Sequence, residues 1–175
     1  DPKLIAYAEG EDERVLRAVQ IVVDEGLAKP ILIGRTTVIE ANIKKLGLRL
    51  QHGVNIEIAD QEQNPLYEEF WKDYYQTMQR KGVTVEYAQR EARRRSTLIA
   101  ALMVKFGKAD GMLCGTYSSY DIHLDFVKNV IGLKEGRSTF FTLNALMLED
   151  RNLFIADTYV NTNPTAEQLA EMTIL

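Results

Sequence analysis

The sequence contains one cysteine, two histidines, one tryptophan and four prolines in 175 residues. With Cys114 alone, no intramolecular disulfide can form, so the chain must be held by an ordinary apolar core, and a cytoplasmic origin fits. His52 and His123 are isolated, and no His/Cys/carboxylate spacing of a zinc site is present, so no metal site is expected. No apolar run reaches the roughly 18 to 20 residues of a membrane span, and no basic-then-apolar leader opens the chain. An excess of charge is also missing. The 21 basic and 25 acidic residues are interspersed and sum to −4, which argues against a nucleic-acid-binding surface. Repeats at a fixed period, low-complexity tracts, a glycine-Lys-Ser/Thr phosphate loop, a dinucleotide fingerprint and a Ser/His/Asp spacing are all absent.

What is present is a hydrophobic fraction of 46%, enough for one domain with a sizeable core. Lys3 to Ala8 is a short apolar run ending at Glu9-Gly10 and reads as a buried strand. Between Asp12 and Glu25, Val15, Leu16, Ala18, Val19, Val22 and Val23 recur at helical spacing, and Gly26 stands at a natural helix end. Pro30 to Gly34 reads as a second strand, with Pro30 allowed only at its first position or on an edge. A helix over 37–46 closed by Gly47 and an alternating strand over 55–60 follow. Strand-helix-strand-helix-strand order predicts an α/β fold, a parallel sheet wrapped by helices.

The middle of the chain is helical. Tyr67, Phe70, Trp71, Tyr74 and Tyr75 recur at three and four within a helix predicted over 64–81, one aromatic stripe suited to a core or an interface. A helix from about Thr84 and an apolar one ending at Gly107 come next, then a short buried strand over 109–115 that places Cys114 in the core. A helix is predicted over 120–131. Beyond it, segments 138–148 and 153–157 flank the charged turn Glu149 to Asn152 and read as a hairpin. The first sub-domain is therefore expected over 1–137 and the start of a second over 138–175. Thr165 with Gln168 forms a capping-box pattern that opens a final helix. That helix is still running at Leu175, and the chain begins two residues before a strand; both suggest a segment cut from a longer protein, with apolar surface left unburied and a partner or marginal stability to match.

In parallel sheets, ligands bind beyond the carboxyl ends of the strands. Three loops qualify. Glu9 to Glu13 is acidic and a poor phosphate cradle. Gly115, Thr116, Tyr117, Ser118 and Ser119 lie between a strand and a helix, where small hydroxyls and free amides attract anions, although such a loop also serves as a plain helix cap. Asn161 to Thr165 is polar and also enters a helix, where Asn163 and Thr165 suit the turn and cap alone. Arg90, Arg93, Arg94 and Arg95 form the only basic cluster, either a solvated helix face or an anion site for a phosphate-bearing ligand. The expected ligand residues are Gly115, Thr116, Ser118, Ser119, Asn161, Asn163 and Thr165 around one cleft, with Arg95 as a charge partner and no catalytic residue.

Two segments carry a resemblance. Glu9-Gly10-Glu11-Asp12-Glu13-Arg14-Val15-Leu16-Arg17-Ala18 and Ala156-Asp157-Thr158-Tyr159-Val160-Asn161-Thr162-Asn163-Pro164-Thr165-Ala166-Glu167-Gln168-Leu169-Ala170 resemble the phosphate acetyltransferase/butyryltransferase family. The likeness extends over essentially the whole chain and includes Lys108-Ala109-Asp110-Gly111 before the Cys114-Gly115 loop. Two departures stand out. Arg94-Arg95-Ser96-Thr97-Leu98 replaces the family's Asp-Pro-Thr-Tyr-Phe-like segment, and Ser118 stands where its Gly-Ala-x-His loop would place a histidine. Both variants, together with Leu113 to Thr116, Tyr120, His123-Leu124 and Val130 to Leu133, are similar to the transferase-like C-terminal half of large bacterial NADP-dependent malic enzymes.

The resemblance implies a fold of the phosphotransacetylase type, like that of isocitrate and isopropylmalate dehydrogenases. It further implies a regulatory domain sensing acetyl-CoA or a related acyl ligand and helping to form a homo-oligomer. The family's closing Ser-Arg pair and Asp are not in this sequence, and NADP and a divalent metal would be held by an N-terminal half outside it. The alternatives are a segment of a true phosphate acetyltransferase and a purely structural oligomerisation module.

Overall fold

The computed structural model describes every residue except 1, 159 and 175. Its residues group into two compact units, Asp1–Ile131 and Gly132–Leu175.

The first unit is built on a four-stranded parallel sheet. Strands β1 (Lys3–Tyr7), β2 (Ala28–Gly34), β3 (Glu57–Asp60) and β4 (Gly111–Leu113) lie in the order β3-β2-β1-β4. Helices α1 (Glu13–Asp24) and α2 (Thr36–Leu46) make the first crossovers. Helices α3 (Tyr67–Met78), α4 (Val85–Arg94) and α5 (Ser96–Lys105) make the crossover from β3 to β4. The expected α/β architecture is therefore present, and both sheet faces are covered, as a parallel sheet requires.

Side-chain alternation along the strands sends residues to two cores. Ala6, Ala8, Ile31 and Ile33 pack with Phe70, Tyr74, Leu98, Ile99 and Leu102 on one face. Tyr7 and Leu32 pack with Leu16, Val19, Ile39 and Ile43 on the other. The aromatic stripe of α3 is thus a core feature at Phe70 and Tyr74, with Phe70 tilted against Phe106 at 5.5 Å between ring centroids. Helix α5 is buried nearly all round, from Thr97 to Met103, which explains its uniform apolarity.

Several boundaries differ from the sequence expectation. β2 begins two residues before Pro30. The proline is tolerated because β2 has only β1 beside it there: pairing with β3 starts at Ile31. α3 starts at Tyr67 rather than at 64, since the Asn64 side chain accepts the Leu66 amide at 2.9 Å and closes a turn ahead of the helix. A 3₁₀ turn, Gln79–Lys81, ends it. Helix α6 (Tyr120–Phe126) gives way to a π-helical turn over Val127–Ile131. β4 stops at Leu113, and Cys114 is exposed, not a core residue. The strand is too short to carry it inside.

The second unit holds the hairpin of β5 (Leu143–Met147) and β6 (Asn152–Ala156), paired antiparallel with Leu143 opposite Ala156 and Met147 opposite Asn152. β5 covers only part of the 138–148 segment. Both strands are exposed, including Leu143, Met147, Phe154 and Ile155. Helix α7 (Ala166–Ile174) opens with the capping box: the Gln168 side chain accepts the Thr165 amide at 2.8 Å, and Thr165 Oγ1 accepts the Gln168 amide at 3.3 Å. The residue that ended the expected helix, 175, lies outside the described residues.

Candidate functional site

The strand order itself designates a location. From β1 the chain winds outward through β2 and β3, then returns to place β4 on the other side of β1. The carboxyl ends of β1 and β4 therefore diverge into loops that leave in opposite directions, the switch point at which open parallel sheets bind ligands. A recess of about 260 Å³ lies there, lined by Tyr7, Glu9, Arg14, Val15, Ala18, Leu113, Cys114 and Thr116.

Each wall has a local cause. Gly10 brings the β1–α1 loop onto β2: its amide donates to the Ile33 carbonyl at 3.0 Å, and a Cβ there would come within 2.8 Å of that oxygen. Asp12 caps α1, accepting the Arg14 amide at 2.8 Å, and its carboxylate also holds the Arg14 guanidinium at 2.9 Å. Arg14 reaches on to the Thr116 carbonyl at 3.3 Å. Val15 and Ala18, one turn into α1, supply the apolar side of the recess.

Glu9 organises the opposite loop. The residue is 4% exposed, and its carboxylate accepts the Gly115 amide at 3.0 Å and the Thr116 hydroxyl at 3.4 Å. Two donors expected to face an anion are thereby occupied. The hydroxyls of Ser118 and Ser119 make no hydrogen bond among the described residues, and Ser119 precedes α6 without capping it. Ser118 is the one described non-glycine residue at positive φ, 78°.

His123 supports this loop from within. It is 9% exposed; its Nε2 lies 2.8 Å from the Tyr117 carbonyl and its Nδ1 2.8 Å from Thr97 Oγ1. A carbonyl only accepts, so Nε2 carries a proton, and in the neutral ring Nδ1 accepts from the Thr97 hydroxyl. The sequence showed His123 only as an isolated histidine; its partners lie 26 and 6 residues away, and no spacing rule links them.

Protonation suits holding rather than attack. Although Cys114 is exposed as a residue, partial desolvation at the recess and the nearby Glu9 carboxylate push its thiol up to about 11, so the thiol is uncharged near neutrality. Burial, with Glu9, Glu11 and Asp12 behind it, also raises Tyr117 above its ordinary range. At the end of β3, burial opposes the charge of Asp60. The Thr36 hydroxyl and amide and the Glu62 and Gln63 amides outweigh it and hold that carboxyl at about 2. Among the described residues no three His, Cys, Asp or Glu side chains are grouped to hold a metal ion, and no helix is long and apolar enough to cross a membrane.

Of the other expected ligand residues, Arg95 belongs to the first unit and Asn161, Asn163 and Thr165 to the second. Arg95, between α4 and α5, donates from Nε to Glu91 at 2.8 Å. In the second unit the Asn161 amide group donates to the Phe140 carbonyl and to Asp157, both at 2.6 Å. Thr165 is engaged in the capping box, and Asn163 is exposed.

The sequence profile of the phosphate acetyl/butaryl transferase family matches residues 1–175. The chain is 51% identical over 171 residues to the NADP-dependent malic enzyme of Haemophilus influenzae, covering 98% of this chain and 23% of that protein. It is 34% identical over 170 residues to the phosphate acetyltransferase of Nitratidesulfovibrio vulgaris, covering 97% of this chain and 24% of that one. Among solved structures it superposes on a phosphotransacetylase from Streptococcus pyogenes with a TM-score of 0.86 at 27% identity, covering 99% of this chain and 52% of that one. The chain thus spans about a quarter of the length of these curated relatives.

Proposed function

The chain belongs to the phosphate acetyl/butaryl transferase family, and from that premise we propose that it is the transferase-like portion of a malic enzyme, holding acetyl-CoA or a related acyl ligand as an effector. The observation that carries this reading is the 51% identity to the malic enzyme of Haemophilus influenzae, against 34% over nearly the same span to the phosphate acetyltransferase of Nitratidesulfovibrio vulgaris. The switch-point recess supports it. One wall is apolar, through Val15, Ala18 and Leu113, and suits an acyl chain. Its thiol is protonated and its carboxylate, Glu9, is committed to the Gly115 amide and Thr116 hydroxyl, which suits retention of a ligand more than covalent chemistry. Ser118 and Ser119 offer the free hydroxyls for a phosphate or carbonyl oxygen, and Arg95, Asn161, Asn163 and Thr165 stand as further candidates for polar contact. Oxidative decarboxylation of malate, with its NADP and divalent metal, belongs in this reading to a part of the parent protein outside these residues, and self-association of the parent accompanies the effector role.

The test is made on the full-length parent. Malate decarboxylation titrated with acetyl-CoA is expected to change in rate, and a rate indifferent to acetyl-CoA overturns the effector role. A Ser118→Ala, Asn163→Ala pair is expected to weaken acetyl-CoA binding in calorimetry. The 34% identity to a phosphate acetyltransferase supports a second reading, acyl transfer between phosphate and CoA. Formation of acetyl phosphate from acetyl-CoA and phosphate by the parent, lost with Ser118→Ala, would favour it.

A further inference from the structure

The three arginines of helix α4 and the one that follows it separate into two groups. Ala88, Glu91 and Ala92 form its buried face. Arg95, just beyond the helix, is taken by Glu91 at 2.8 Å. Arg90, Arg93 and Arg94 stand at i, i+3 and i+4 and so share one exposed face. Basic residues in a last helical turn are favourable for the helix dipole alone, but here the side chains are also held in place. The Arg93 guanidinium lies over the Tyr67 ring at 4.3 Å from its centroid, and Arg90 lies over Tyr87 at 5.0 Å. The Tyr67 hydroxyl donates to the Gln89 carbonyl at 3.0 Å, tying α3 to α4 beneath the arginines.

The charge on this face is only partly offset: Glu86 stands four residues before Arg90, and no ion pair joins the two among the described residues. Arg93 and Arg94 make no ion pair among the described residues, and Arg90 approaches only the Glu91 carboxylate, at 3.7 Å, which Arg95 already binds more closely. On α3, Glu68 pairs with Lys72, and Glu69, two residues after Tyr67, lies off its face of the helix. A shallow recess of about 490 Å³ is lined by Tyr67, Gln89, Arg90, Arg93 and Arg94. A guanidinium held over a ring is restrained in position, and its N–H groups match the oxygens of a phosphoryl group in a paired geometry. Stacking also lowers the rotamer freedom lost when the ligand arrives.

We propose that this face of α4 is an anion site for a phosphoryl group, distinct from the switch-point recess. Arg93 and Arg94 are the principal donors, Arg90 closes one side, and Tyr67 fixes the orientation of Arg93. The phosphoryl group is that of free diphosphate or of a nucleoside diphosphate, sources that share the same chemistry.

Calorimetry of the full chain at constant ionic strength tests the site with inorganic pyrophosphate in one arm and adenosine 5′-diphosphate in the other. Saturable binding in at least one arm is expected, and the tighter arm identifies the source. Arg93→Gln with Arg94→Gln is expected to weaken it roughly tenfold or more, from the loss of charge-assisted hydrogen bonds. Lys108→Gln, a loss of charge on another exposed residue, is expected to leave it unchanged. Should the glutamine pair fail to fold by circular dichroism, Arg93→Lys with Arg94→Lys keeps the charge and removes the planar fork, and is also expected to weaken binding. Absence of saturable heat in both arms, or an equal loss with Lys108→Gln, overturns the proposal.

Discussion

The buried carboxylate of Glu9 accepts the amide hydrogen of Gly115 at 3.0 Å, joining the end of β1 to the end of β4 across 106 residues. The same carboxylate takes the Thr116 hydroxyl. Glu9→Ala leaves both donors without a partner and is expected to cost about 1–3 kcal/mol, read from urea denaturation. Glu9→Gln keeps one acceptor and should lose less. Equal stability of Glu9→Ala and the unmodified chain would mean that water replaces the carboxylate at no cost.

Cys114 provides a chemical readout of the same carboxylate. With its thiol raised to about 11, alkylation by iodoacetamide at pH 8 should be much slower than for free cysteine, although the residue is exposed. The thiol's folded value lies above the ordinary one, so reactivity should rise only as pH climbs toward that value. Removing the nearby negative charge with Glu9→Gln should shift the rate profile to lower pH. A profile centred near the ordinary thiol value would contradict the contact.

Ser118 sits at φ 78°, a conformation that a side chain disfavours and glycine does not. Ser118→Gly is expected to raise stability by about 1 kcal/mol or less, since the glycine's greater unfolded-state freedom offsets part of the relief. Ser118→Ala keeps the strain and should not stabilise. Thermal melts of the two variants separate backbone strain from the role of the hydroxyl.

Asp60 governs part of the acid limb of stability. Its carboxyl is held at about 2 in the folded chain against an ordinary value of 3.8. The folded value is the lower one, so its contribution is complete above pH 3.8 and disappears as pH falls toward 2. After allowance for solvent screening, about 1 kcal/mol is involved. Urea midpoints measured from pH 6 down to pH 2 should fall less steeply for Asp60→Asn, from a lower starting stability.

Gly10→Ala tests the close approach of the β1–α1 loop to β2. The added methyl would stand 2.8 Å from the Ile33 carbonyl oxygen and 2.9 Å from its nitrogen, both backbone atoms that cannot swing aside. A loss of about 1–3 kcal/mol is expected, together with a weakened recess, because Glu9 is the adjoining residue. A neutral effect on the urea midpoint would show that the loop has room to move.

The parallel α/β order, the two strand-to-helix loops and the capping box at Thr165 were legible in the residues because each depends on neighbours a few positions apart. The family likeness was legible for a related reason, since Glu9 to Ala18 and Ala156 to Ala170 are contiguous. Strand ends depend on pairing with distant segments and are less legible in local pattern. Cys114 was placed in the core because its apolar neighbours Met112 and Leu113 continue the β4 pattern, whereas pairing with β1 stops at Leu113. Of the two places open to Pro30, the first position of its strand or an edge, it takes one paired on a single side, two residues into β2 and before the pairing with β3 begins.

Composition and local periodicity determined the class of fold, the helices and strands, and which stripe of α3 turns inward. Tertiary structure alone decided that β4 lies beside β1, and with it the position of the switch-point recess. It also decided that Glu9 occupies the donors of Gly115 and Thr116, that His123 bridges Thr97 to Tyr117, and that Arg95 separates from Arg90, Arg93 and Arg94. The reason is physical. Helix and strand formation follow interactions within one or two turns of chain, whereas a buried carboxylate or imidazole is satisfied by whichever donors the packing of distant elements brings within about 3 Å.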